Sequence, residues 1–403
     1  ACRRHDRPVL QDDDVGSGLT LLGLQGMIDP PRQEAMDAIG ACHRAGITVK
    51  MITGDHGATA AAIGRQLGIL APGSKAIIGA ELTRMTPAEL ATAAEATNVF
   101  ARVAPEQKLR LVQALKERGH VVAMTGDGVN DGPALKQADI GIAMGITGTA
   151  VAKEAAAMVL ADDNFASIRA AVEEGRRVYD NLVKSLAFVL PTNIGEALII
   201  LIAVLFFPLV DGTPLMPILP VQILWINLVA TVTLALPLAF EAMEPNLMRR
   251  PPRPSSEPLM NRFVWVRTVK VALLMAAGAI VAFLLKYNAG LAGGVGQSLA
   301  LREAQTLAVT VVVLLQVFYL INCRSLKESF WTVGIFSNPW ISVGIGALLA
   351  LQIAFVHLPV MNLLFGSAPL SLNDWLLAAL IGFGVVPVIS LEKWWHQRRN
   401  PLG

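Results

Sequence analysis

The sequence predicts an α/β segment built on a parallel sheet, followed by an all-α bundle of six membrane-crossing helices. Three observations predict it. The 403 residues are 54% hydrophobic and only 16% charged, against roughly 25% charged in an ordinary soluble domain, so part of the chain belongs in lipid. The apolar residues are unevenly spread: residues 1–180 mix charged and apolar side chains, and long apolar stretches dominate from about Leu182 onward. Within the first part, short apolar runs ending in turn residues alternate with helix-like runs, the pattern of a parallel sheet covered on both faces.

The elements of that first part follow in order. Leu21–Ile28 reads as a buried strand, with a helix over about 33–45. Ile47–Ile52 is a second strand ending at Thr53-Gly-Asp55, with a helix over about 57–67. Val99–Arg102 is short and strand-like and leads into a helix over about 105–118. Val121–Met124 is a strand ending at Thr125-Gly-Asp127, and Ala138–Met144 is the last. Ligands of such sheets bind at the carboxyl ends of the strands, and both Thr-Gly-Asp sequences fall there.

A membrane helix needs about 20 apolar residues. Six stretches qualify, at about 182–207, 218–240, 264–286, 304–323, 338–357 and 372–391. Arg249, Arg250, Arg253 and Arg262 lie between the second and third, Arg324 and Lys327 follow the fourth, and Lys393, Arg398 and Arg399 end the sixth. The opposite loops, near Asp211, Gly290 and Ser367, are almost free of Lys and Arg. The positive-inside rule then places the α/β part, the Arg-rich loop and the C-terminus in the cytoplasm of an integral membrane protein, with the plasma (cell inner) membrane expected. Trp394 and Trp395 suit an interfacial belt.

Composition excludes other classes. A net charge of +2 is too small to argue for a nucleic-acid partner. Cys2, Cys42 and Cys323 show no metal or redox spacing and read as reduced thiols outside any disulfide. No signal peptide opens the chain, and Ala-Cys-Arg-Arg-His-Asp reads as the middle of a longer one.

Two constellations carry chemistry. Thr125-Gly-Asp-Gly-Val-Asn-Asp-Gly-Pro-Ala134 puts Asp127 and Asp131 on a Gly-rich turn with Asn130, a set that suits magnesium. Thr53 and Gly54 can offer a hydroxyl and an amide to phosphate oxygens, and Lys108 can neutralise phosphate charge. Phosphoryl transfer needs this combination, being mostly positioning and charge stabilisation. In the membrane part, Glu196 sits deep in the first stretch, where an ionised carboxylate costs several kcal/mol unless partnered, so an ion or proton site is the default expectation. Asn193 lies three residues before it on the same helical face. Asn227 and Thr231 in the second stretch and Gln316 in the fourth add oxygen ligands that suit hard cations, or amides and hydroxyls that bind helices together. Pro191 and Pro237 interrupt helical hydrogen bonding.

Asp29-Pro-Pro-Arg32, Met51-Ile-Thr-Gly-Asp55, Phe100–Lys108 and Met124–Leu135 resemble the signature blocks of the haloacid-dehalogenase-like phosphorylation domain of P-type ATPases. Asn193-Ile-Gly-Glu196, Pro220–Val229 and Arg249-Arg-Pro-Pro-Arg253 resemble the fifth and sixth spans, and the following loop, of type II, calcium-pump-like members. The resemblance covers nearly the whole chain. It implies a Rossmann-like phosphorylation domain over 18–180, preceded by the tail of a nucleotide-binding domain over 1–17 and followed by a transmembrane domain over 181–403. It implies ATP as substrate and Mg2+ at Asp127, supported by Asn130 and Asp131. Thr53 and Lys108 would touch the phosphoryl group, and Asp29, Arg32, Asp55 and Arg102 would lie near the nucleotide. Asn193, Glu196, Asn227, Thr231 and Gln316 would bind the transported cation, with calcium leading and sodium, potassium or a proton as alternatives.

Two departures qualify it. The Asp-Lys-Thr-Gly-Thr segment that holds the phosphorylated aspartate does not occur in the sequence, so this chain alone is expected to be inactive and to need the remaining N-terminal part of a pump as partner. Thr231 and Gln316 stand where relatives carry acids, which favours a single divalent ion, a monovalent ion or a proton over two calcium ions. Two other readings stay open: a non-catalytic membrane remnant or regulatory fragment, and a membrane-tethered phosphatase of the same superfamily, for which Asp29 is the only nearby nucleophile.

Overall fold

A computed structural model of the protein describes residues 19–23, 30–210, 212–244, 246–254, 256–326, 334 and 337–399. The chain divides into two compact units. Residues up to His43 together with Thr48–Ser167 form one, and Arg44–Ile47 together with residues from Ile168 onward form the other.

In the first unit the order is α1 (Gln33–Arg44), β1 (Met51–Thr53), α2 (Gly57–Gln66), β2 (Ile77–Ile78), α3 (Gly79–Arg84), α4 (Pro87–Ala96), β3 (Val99–Ala101), α5 (Pro105–Glu117), β4 (Ala123–Gly126), α6 (Gly132–Gln137), β5 (Ile140–Met144), α7 (Ala150–Ala155) and β6 (Met158–Leu160). Every strand pair here is parallel, as expected. The strands form two three-stranded sheets, β1-β3-β2 and β4-β5-β6, where one was expected. Apolar runs reveal strands but not which edges meet, so the division was not readable from them.

Strand β3 shows why its sheet holds. Val99, Phe100 and Ala101 are all buried, and successive side chains point to opposite faces. Val99 and Ala101 pack with Ala60 and Ala61 of α2, and Phe100 packs on the other side with Leu82, Leu90 and Leu111. Burying a side chain such as Phe100 contributes about 1.5–3 kcal/mol. Helix α5 serves both sheets: Leu111 and Ala114 join the Phe100 cluster, while Val112 joins Met124, Leu135 and Ala143 beside β4 and β5. Pro105 at its first turn and Gln107 reaching back to the Ala104 amide fix where α5 begins.

Three expectations change. The strand expected over 47–52 is confined to Met51–Thr53. Of the strand expected over 21–28, residues 24–28 lie outside the described residues; Leu21 and Leu22 are exposed rather than buried. Helices α3 and α4 are additions. The start of α4 has a readable signal in Thr86-Pro-Ala-Glu89, whose side chains close a reciprocal cap.

In the second unit, six helices among the described residues are long and apolar enough to cross a membrane: span 1 (Phe165–Phe206), span 2 (Pro220–Leu238), span 3 (Arg262–Ala292), span 4 (Gln297–Cys323), span 5 (Pro339–His357) and span 6 (Leu372–Trp395). Span 4 is the central one, with 89% of its apolar window buried. Pro191 does not break span 1, which runs as one helix of 42 residues. Span 2 does change: Thr231–Ala235 form a wider π-helical turn just before Pro237. Proline has no amide for the carbonyl four residues back, and its ring crowds that carbonyl. The wider turn stands where this conflict falls.

The segment after span 2 is stitched to span 1 by charge. Lys184 pairs with Glu244 at 3.3 Å, and Arg250 pairs with Asp180 at 3.1 Å and also with Glu244. Burial pushes Glu244 up, but the Lys184 and Arg250 charges outweigh it and hold the carboxyl below its ordinary value.

Candidate functional site

The carboxyl ends of β1 and β4 carry the first set of residues. After β1, the Thr53 hydroxyl donates to Asp55 Oδ2 at 2.9 Å and accepts from the Asp55 amide at 3.1 Å. This small turn holds Thr53-Gly-Asp55 in shape, with Gly54 and Asp55 exposed. The Val103 amide reaches the Thr53 carbonyl at 3.4 Å, so the segment leading into α5 begins at the end of β1.

From the first turn of α5, Lys108 Nζ donates to Asp131 Oδ1 at 2.7 Å. Asp131 is 5% exposed, and its other oxygen accepts from the Gly128 amide at 3.1 Å. Both Asp131 oxygens are therefore occupied in aiming Lys108 and bracing the turn. Asp127 and Asn130 are exposed. Gly126 is required here, since a Cβ would stand 2.5 Å from the Asp131 Cβ.

A hard divalent ion such as magnesium keeps several waters and takes one or two carboxylates plus phosphate oxygens. The exposed Asp127 carboxylate, with Lys108 close by to share the phosphate charge, fits that chemistry. Asp131 fits it as a support for Lys108.

Two further features build this edge. Arg102 follows β3 with φ of 50°, a left-handed conformation that costs a non-glycine residue about 1–2 kcal/mol. Its carbonyl would stand 2.1 Å from a Cβ on residue 79, so Gly79 is obligatory. Asp163, absent from the expected set, accepts from the amides of Gly145, Ile146 and Thr147 at 2.6, 3.0 and 2.8 Å. Those bonds, led by Ile146, bring its pKa down to about 2. The loop it braces ends at Thr149, whose amide donates to the Asp127 carbonyl at 2.8 Å. The acidic run Asp162-Asp163-Asn164 was the available signal. Arg32 is exposed immediately before α1, and Asp29 lies outside the described residues.

The second set stands inside the membrane unit. Glu196 and Gln316 are 2% and 1% exposed, and Gln316 Nε2 donates to Glu196 Oε1 at 3.2 Å. The Asn227 side chain lies beside the same carboxyl. Glu196 Oε2 and Gln316 Oε1 have no donor, although both are buried. Two buried acceptors without a donor match what a cation takes from oxygen ligands. Among the described residues no group of three or more His, Cys, Asp and Glu clusters; the group here is one carboxylate with amides. Asn193 and Thr231 are exposed, whereas Glu196 and Gln316 are buried and bonded to each other. Span 5 adds Gln352, 1% exposed, whose Nε2 donates to Thr310 Oγ1 at 3.1 Å while its Oε1 has no partner.

Comparison with known proteins gives two family matches. Residues 3–139 match the haloacid dehalogenase-like hydrolase family, and residues 215–395 match the cation transporting ATPase C-terminus family. Over 389 residues, 94% of this chain, the sequence is 49% identical to a probable cation-transporting ATPase F of Mycobacterium tuberculosis. It is 50% identical over 390 residues to the cation-transporting ATPase pma1 of Synechocystis. It is 41% identical over 373 residues, 93% of the chain, to a calcium-transporting ATPase of Bacillus subtilis. The chain spans about two-fifths of those relatives, 41%, 41% and 40% of their lengths. With both family matches in order along the chain and nearly its whole length aligned, this chain belongs to the P-type cation-transporting ATPases.

Proposed function

We propose that this chain is the C-terminal portion of an ATP-driven pump that moves a cation across the membrane through a magnesium-dependent aspartyl-phosphate. The observation that carries this reading is Glu196, a carboxylate buried among membrane helices, hydrogen-bonded to the Gln316 amide and with one oxygen unpartnered. Such a group marks an ion pathway by default.

In this reading Asp127 holds the magnesium ion, which when bound shares the phosphoryl charge. Lys108, aimed by Asp131, neutralises that charge from the other direction. Thr53 and Gly54 offer a hydroxyl and an amide to the phosphoryl oxygens, and Asn130 assists at the turn. Asp55, Arg32 and Arg102, with Asp29, serve the nucleotide side. The nucleophilic aspartate comes from the N-terminal part of the pump. A strand carrying it would meet two of the four edges that the two three-stranded sheets leave unpaired among the described strands, those on β1 and β4, both leading into Thr-Gly-Asp.

Glu196, Gln316 and Asn227 supply the core of the cation site, with Asn193 and Thr231 as additional ligands. One carboxylate among amides favours a single calcium ion or a monovalent ion. The membrane is the plasma membrane, with the α/β unit and the C-terminus cytoplasmic, as the arginines at 249, 250, 253 and 262 favour.

The decisive experiment is Asp127→Ala in the intact protein that contains this chain. Labelling of the phosphoenzyme from ATP and magnesium should disappear, and surviving label would refute the metal assignment.

A further inference from the structure

Span 5 approaches span 2 at its widened turn. Residue 237 is proline, so the Thr233 carbonyl cannot receive the usual amide four residues on. Gly344 of span 5 faces that carbonyl: a Cβ on residue 344 would stand 1.9 Å from Thr233 O, 3.0 Å from its carbon and 3.3 Å from Pro237 Cγ. No side chain fits there without moving backbone.

Six residues earlier, Asn338 caps span 5 by accepting from the Trp340 amide at 3.1 Å. Its Nδ2 donates to the Pro237 carbonyl at 3.0 Å and to Glu241 Oε2 at 3.2 Å. Asn338 is 2% exposed. Span 5 and its cap therefore touch this stretch of span 2 at two points, the carbonyls of Thr233 and Pro237.

The same turn leads back to the cation site. The Thr231 amide bonds the Asn227 carbonyl, and the Asn227 side chain lies beside Glu196. A shift at Thr233 passes along the helix to the ligand pair. π-helical turns occur often at functional sites.

We infer that span 5 sets the affinity of the cation site without touching the ion. Gly344 and Asn338 are positioning residues that lock the widened turn of span 2, and through it Asn227 against Glu196. This rests on the pump reading above and adds to it an element that contributes no ligand.

The test uses the intact protein, with ATP hydrolysis titrated against calcium, sodium and potassium in turn. Gly344→Ala should raise the cation concentration for half-activation about tenfold or more, and leave kcat within about twofold. Gly346→Ala is the control, since nothing lies within 4 Å of a Cβ there; its affinity should equal wild type. Asn338→Ser keeps a cap for the Trp340 amide but loses the donors to Pro237 and Glu241, and should shift affinity in the same direction. It also decides the matter if Gly344→Ala does not fold. Unchanged affinity in both variants, with Glu196→Gln impaired, overturns the span 5 assignment alone. An equal fall of kcat with no change in affinity also overturns it, by making the contact merely structural. A wild-type protein whose ATPase ignores all cations overturns the pump reading and this inference together.

Discussion

Glu196 and Glu241 are both buried carboxylates of the membrane unit, 2% and 0% exposed, and their neighbours differ in kind. Glu241, just after span 2, faces a counter-charge: Arg324 at the end of span 4 donates to its Oε1 from two nitrogens, at 2.9 and 3.2 Å. Asn338 bonds the other oxygen, and Asn181 bonds its carbonyl at 3.0 Å. Glu196 has only amides near it and one oxygen without a partner. A buried charge needs pairing and hydrogen bonds to be tolerated. Glu241 has both from the protein, which makes it structural. Glu196 lacks the positive charge, and a bound cation would supply it.

That contrast predicts opposite mutational behaviour. The largest effect belongs to the paired site. Arg324→Ala strands the Glu241 charge and should cost about 3–5 kcal/mol of stability, read as unfolding in detergent. The double change Arg324→Met with Glu241→Gln should recover most of it. Loss of less than about 1 kcal/mol in the single variant would place Glu241 outside the structural class.

Glu196→Gln should do the reverse, leaving stability in cation-free buffer unchanged or higher. Its cost appears in binding, where half-activation by cation should move roughly tenfold to a hundredfold, from ~1.5–3 kcal/mol per charged contact. A stability loss without a binding loss would put Glu196 in the same class as Glu241.

The smallest effect extends the comparison to solvent. Asp163 is a half-buried carboxylate held by backbone amides, with its pKa depressed from 3.8 to about 2. The order it gives to the loop at residues 145–147 is therefore fully present above the ordinary value near 3.8 and is lost as pH falls through about 2. Hydrogen exchange of that loop should show this pH window. Asp163→Asn should remove the protection at neutral pH, and protection that survives the change would assign the loop's order elsewhere.

Much of this was legible in the chain. The six spans stand where the apolar stretches put them, because lipid demands about 20 apolar residues in a row. Both Thr-Gly-Asp turns lie at strand ends, because a buried parallel strand must stop at a residue that can leave the sheet. Glu196 announces itself by its cost in that setting. The Glu241–Arg324 pair is a different case. Arg324 reads from sequence as a loop charge, and only packing shows it 3% exposed against an acid 83 residues away. Lys108 and Asp131 were named separately, but their direct bond depends on how α5 lies between two hydrophobic clusters.

By itself the sequence determined where this protein meets lipid, where its strands end and which residue types stand ready for phosphate and for a cation. These follow from local rules of burial cost, helix length and turn chemistry. The tertiary structure decided which of those groups meet: Gln316 with Glu196, Lys108 with Asp131, and Gly344 against the turn that Pro237 widens. Those meetings join residues from different helices and strands, and the registry between elements is set by side-chain packing, which no local pattern encodes.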